Sequence, residues 1–105
     1  MTEYNSPKIP KLYETEPISL EEKIIYEKWH IKEIGFYWLI AELGGREEED
    51  KDIAFGYANL NDDQMAEWGN ISIKELKENG AQKDYEWEPC KFPEAEAKCK
   101  RERDM

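Results

Sequence analysis

Apolar residues in this chain come in short blocks separated by charged or turn-forming stretches. Phe36-Tyr37-Trp38-Leu39-Ile40-Ala41-Glu42-Leu43 follows Gly35 and is closed by Gly44-Gly45. It is too short for a typical helix and rich in rings, so it predicts a strand. Ile53–Leu60 alternates large residues with small ones and predicts a second strand. Asn61-Asp62-Asp63 marks a turn, and Met65–Ile71 predicts a third strand. Ser72 and Glu75 then stand at capping-box spacing, which starts a short helix closed by Asn79-Gly80.

The flanks carry weaker patterns. Residues 1–11, with Pro7 and Pro10, predict a mobile lead-in. Ser19-Leu20-Glu21-Glu22 is another capping box and predicts a helix start. Ile24–Ile31 fits either element: helical spacing links Leu20, Ile24 and Ile25, yet β-branched and aromatic residues favour a strand. Arg46–Asp52 reads as a solvated loop. Lys83–Glu88 alternates charge and ring as an edge strand does, and Pro89 stops it. Residues 93–105 form a charged tail; Glu94–Arg103 has helix propensity but little to pack, which predicts a marginal helix or disorder.

Strands joined by short turns predict an antiparallel meander. The expected fold is α+β, a small antiparallel sheet of three to five strands with one or two short helices packed on one face. The domain is expected over residues 12–92.

Composition complicates that picture. Six leucines, ten isoleucines, three phenylalanines and no valine stand beside a formal net charge of −10, a disorder-like balance. Four tryptophans and six tyrosines argue the other way, because each ring buries roughly 150–250 Å². A small, ring-rich core reconciles the two. The acidity disfavours nucleic acid or an anionic membrane as partner and permits a basic protein. No apolar run is long enough to span a bilayer. Met1-Thr2-Glu3-Tyr4 shows no secretory pattern, so the expected compartment is the cytoplasm.

An ordered set of stretches carries a family resemblance. It comprises Leu12–Glu16, Ser19–Tyr26, Trp38 with Glu42, Phe55-Gly56-Tyr57, Glu67–Ser72 with Glu75-Leu76, Asp84-Tyr85 and Trp87-Glu88-Pro89. The order resembles domain-of-unknown-function family 2958, small proteins of plasmids, conjugative elements and phages. The resemblance spans residues 12–89, implies a mobile-element origin and implies no activity. It also tilts Ile24–Ile31 toward a strand. The chain departs from the family at Asn70, where an aromatic is usual, at Gln82-Lys83, where a basic or polar segment normally precedes the final strand, and after Phe92.

Catalytic motifs are sparse. His30 is the single histidine, and neither a nucleophile elbow nor a phosphate-binding glycine loop accompanies it. Cys90 and Cys99 lack the spacing of zinc ligands, and a cytosolic setting predicts free thiols. Glu47–Asp52 offers oxygen ligands without the pattern of a calcium loop. Asn70-Ile71-Ser72 matches a glycosylation sequon that no leader would deliver. No catalytic residue, metal site or cofactor is assigned.

Three functions remain. The first is an interaction module whose acidic, aromatic-bearing surface engages a basic partner, with Tyr13, Glu16, Trp38, Glu42, Tyr57, Glu67 and Trp68 as the candidate surface. The second is a small-ligand binder or enzyme using a carboxylate and aromatic cleft around Glu42 and Glu67. The third is a homodimer paired through the edge strand Asp84–Glu88.

Overall fold

The computed structural model describes residues 8–45 and 47–104; Pro7 and Arg46 lie outside them. The chain is α+β, as expected. In order it forms β1 (Ile24–Ile25), β2 (Glu27–Ile31), β3 (Phe36–Leu43), β4 (Ile53–Leu60), β5 (Glu67–Ser72), α1 (Ile73–Glu78), β6 (Gln82–Lys83), β7 (Cys90–Lys91) and α2 (Phe92–Arg103). The main sheet is antiparallel, with strand order β5-β4-β3-β2-β6, and β1 pairs with β7 in a separate two-stranded ribbon. The meander β2–β5 pairs sequence neighbours, with a longer loop holding the 3-10 turn Glu48–Asp50 between β3 and β4, whereas α1 lies between the strands of the two sheet edges, β5 and β6.

The two faces of the sheet have separate cores. Trp29, Trp38, Ile40 and Ile71 pack with Ile73 and Leu76 of α1. Ile25, Tyr37, Leu39 and Tyr57 pack with Ala95 and Cys99 of α2. The helices therefore divide between the faces instead of sharing one. A sheet buried on both sides explains why β3, the central strand, is buried from Tyr37 to Glu42.

Alternation along β3 breaks once. The register with β4 shifts between Ile40 and Glu42, a β-bulge. Strict alternation would send Glu42 to the face of Trp38 and Ile40. The bulge instead sets it opposite Phe55 and turns its carboxylate toward residues 12–18. Gly56 permits the close strand approach beside this irregularity. A Cβ there would lie 2.1 Å from the Leu39 carbonyl oxygen, a backbone atom in the central strand. Gly56→Ala is expected to cost about 1–3 kcal/mol through forced strand separation. A thermal melt checks this, and an unchanged midpoint would contradict it.

Several expectations are corrected. Ser19 makes no side-chain cap, and residues Leu20–Glu22 form only a short 3-10 turn before β1. Ile25 is wholly buried, so its place in the core outweighs the local capping signal. Ile24–Ile31 is strand, broken at Tyr26, whose N–H donates to Ile40 O at 2.9 Å. The third strand begins two residues late, at Glu67. The lead-in is anchored at its end: Leu43 N donates to Pro10 O at 2.9 Å, and Leu12 N to Gly44 O at 2.8 Å. Lys83–Glu88 is not an edge strand. The strand ends at Lys83 and its backbone pairing with β2 at Asp84, whose N–H donates to Lys28 O at 2.9 Å; Asp84 then turns the chain by accepting from Glu86 N at 3.0 Å and Trp87 N at 3.3 Å. Trp87 then folds inward and donates its indole N–H to Ile25 O at 3.1 Å. The predicted marginal tail is α2, whose Ala95 and Cys99 are buried against the sheet.

Candidate functional site

Residues 12–18 wrap around Glu42. Its carboxylate accepts from the backbone N–H of Tyr13 at 2.9 Å and of Thr15 at 3.1 Å. The Thr15 hydroxyl also donates to it. Lys23 approaches from the other side: its Nζ donates to Thr15 O at 2.6 Å and Thr15 Oγ1 at 2.7 Å, and lies 4.0 Å from Glu42 Oε2. Both charged side chains are only 4 % exposed. Burial of a charge is tolerable with a counter-charge and hydrogen bonds, and each of these has both. Glu42 therefore ties the N-terminal segment to the end of β3.

The anchor has a conformational cost. Tyr13 sits at φ 71°, in the left-handed region that non-glycine residues disfavour. The residue is 69 % exposed. Beside it opens a hollow of about 400 Å³, with Leu12, Phe55 and Asn70 in its wall and Ile18, Leu20 and Glu16 contributing to its rim. Ile18 and Leu20 are exposed, as is Tyr13, so three large apolar side chains stand at one opening. Lys23 and Glu42 also line it.

Of the seven candidate surface residues, the structure brings Tyr13, Glu16 and Glu42 together at this hollow. Trp38 is core on the α1 face. Tyr57 is buried under α2 and donates its hydroxyl to Glu96 at 3.0 Å. Trp68 is half-buried against Phe55, Tyr57 and Phe92, with ring centres 5.5, 5.9 and 4.9 Å away. Glu67 is exposed, paired with Ala58, whose side chain packs on the α1 face. Glu42 and Glu67 thus do not share a cleft. Sequence reasoning missed Thr15, Ile18, Leu20 and Lys23. An isolated lysine in a polar stretch carries no signal of burial, and the loop has no periodicity to read.

A second buried charge lies under α2. Lys28 pairs with Glu102, stands 4.0 Å from Asp84 Oδ2, and lies 5.9 Å from the centre of the Trp87 ring. His30 is half-buried nearby on β2, and burial followed by Lys28 lowers its pKa.

Both cysteines are free thiols. Burial is the main cause that pushes Cys99 up to about 12 and Tyr57 up to about 12. A raised acid pKa means that the folded state holds its proton longer. The stabilisation is complete below the unfolded values of about 9 for the thiol and about 10 for the phenol, and it is lost as pH climbs toward 12. Melts at stepped pH are expected to show a midpoint falling from about pH 9 upward. A flat midpoint to pH 11 would contradict this.

The site thus belongs to a small α+β chain with a sheet covered on both faces. Comparison with protein-family models, curated proteins and solved structures finds no match. Among the described residues no helix is long and apolar enough to cross a membrane.

Proposed function

We propose that this chain is a small, non-enzymatic interaction module of a mobile genetic element, engaging a partner protein with a basic surface. The observation that carries this reading is the apolar hollow beside Tyr13, rimmed by Ile18, Leu20 and Glu16, on a chain of net charge −10. Exposed rings in a concave, partly apolar setting are common binding anchors. Acidic side chains around them favour a basic partner and exclude an acidic one. Glu14, Glu16, Glu21 and Glu22 are all exposed along this stretch. The family resemblance supplies the mobile-element setting, and the cytoplasm is the compartment that setting implies. Glu42 being hydrogen-bonded within the chain, and Glu67 lying on the other face, weigh against the carboxylate-pair enzyme.

Tyr13→Gly tests the reading without unfolding the chain. Glycine relieves the left-handed strain while adding freedom to the unfolded state, so stability should change by less than about 1 kcal/mol. The ring is lost. Affinity capture from the native host at low salt is expected to retain a basic protein with the wild-type chain and about tenfold less with the variant. The capture should weaken as salt rises. Equal capture by both chains, or capture indifferent to salt, would overturn the reading.

A further inference from the structure

We propose that the outer edge of β5 receives an extended segment of the basic partner as an added antiparallel strand. This rests on the reading of the chain as an interaction module and names its mode of contact. Ile73 N donates to Asp52 O at 2.8 Å, which closes one hydrogen-bonded pair beside the β4–β5 register. Antiparallel pairs alternate, so Ile71, Gly69 and Glu67 direct their backbone groups to β4. Trp68, Asn70 and Ser72 therefore direct theirs outward. β5 is the end strand of the sheet, so no strand lies beside Trp68 and Asn70, whereas Ser72, the N-cap of α1, already gives its carbonyl to that helix.

The two edges of the sheet differ in protection. β6 is two residues long, carries Lys83 ion-paired to Glu27 at 3.2 Å, and runs into a turn. Shortness and a lysine are the usual devices against strand pairing. β5 has six residues, with neither lysine nor proline among them. At its centre Gly69 leaves open space, since a Cβ there would meet nothing within 4 Å.

A hollow lies on each side of this edge, and Asn70 belongs to both. One is the 400 Å³ hollow walled by Phe55. The other, about 270 Å³, is lined by Trp38, Ala58, Leu60 and Leu76 on the α1 face. Successive side chains of an added strand point to opposite faces, so one incoming segment fills both hollows in alternation. Glu16 stands at the first hollow and Glu75 at the second. The segment that fits is extended and apolar at its centre, with lysine or arginine flanking. A second copy of this chain fits poorly, because two chains of charge −10 repel.

The test selects displayed random peptides on the full chain and then measures the enriched peptide by NMR. The expected peptides are basic and alternating. Their binding should slow exchange of the Trp68 and Asn70 amides. Asn70→Pro removes an outward N–H that the sheet does not use, so it should fold and bind about tenfold more weakly. The same peptide with alternate backbone nitrogens methylated should lose binding to the unaltered chain, which guards against a variant that misfolds. If basic peptides bind with both amides and both controls unaffected, the strand mode fails while the interaction reading stands. If no basic peptide is enriched, both fail.

Discussion

Glu42→Ala is expected to lower stability by about 3–5 kcal/mol, the usual cost of breaking a buried ion pair from one side. The substitution leaves Lys23, 4 % exposed, without its counter-charge. It also strips the acceptor from the N–H groups of Tyr13 and Thr15. For a chain of this size each kcal/mol moves the melting point by about 4–8 °C, so a fall of about 15 °C or more should be seen by circular dichroism. Residues 12–18 should lose amide protection before the sheet does. A double variant, Lys23→Met with Glu42→Leu, should recover much of the loss, because no unpaired charge remains. A single variant melting within a few degrees of the parent would show that the segment is not held by this carboxylate.

Removing α2 by ending the chain at Lys91 is the second large effect. It uncovers Ile25, Tyr37, Leu39 and Tyr57, which form one of the two cores. Uncovering a large apolar side chain costs about 1.5–3 kcal/mol, against a typical total of about 5–15 kcal/mol. Lys28 would also lose Glu102, and Asp63 its contact with Arg103 at 3.2 Å. The truncated chain is expected to show collapsed amide dispersion and no near-ultraviolet tryptophan signal at 25 °C. A truncated chain that melts like the full one would contradict the two-faced core.

That helix shows where sequence reading falls short. Its buried stripe is Ala95 and Cys99, one turn apart and both small. Neither registers as apolar pattern in a segment of charged residues. Its charges read as solvated, yet Glu96 meets Tyr57, Glu102 meets Lys28, and Arg103 meets Asp63. By contrast β3 and β4 were legible from end to end, because rings and aliphatics fill them between turn residues. The cap of α1 was legible too: Ser72 Oγ accepts from Glu75 N at 3.1 Å. The same spacing at Ser19 and Glu22 failed, since the following isoleucines are claimed by strand pairing. For the site, Glu42 was visible as an unusual carboxylate at a strand end. Its role was not, because a bulge set by tertiary packing decides which face it meets.

Photo-cross-linking at position 18 tests the proposed function most directly. Benzoylphenylalanine replacing Ile18 places the reactive group at the mouth of the hollow, and the same residue replacing the exposed Lys74 on α1 serves as control. In the native host, the probe at 18 is expected to join one basic protein, and the adduct should vanish when Tyr13→Gly is added. The control at 74 should not form it. No adduct at 18, or the same adduct at both positions, would contradict an interaction seated at the Tyr13 hollow.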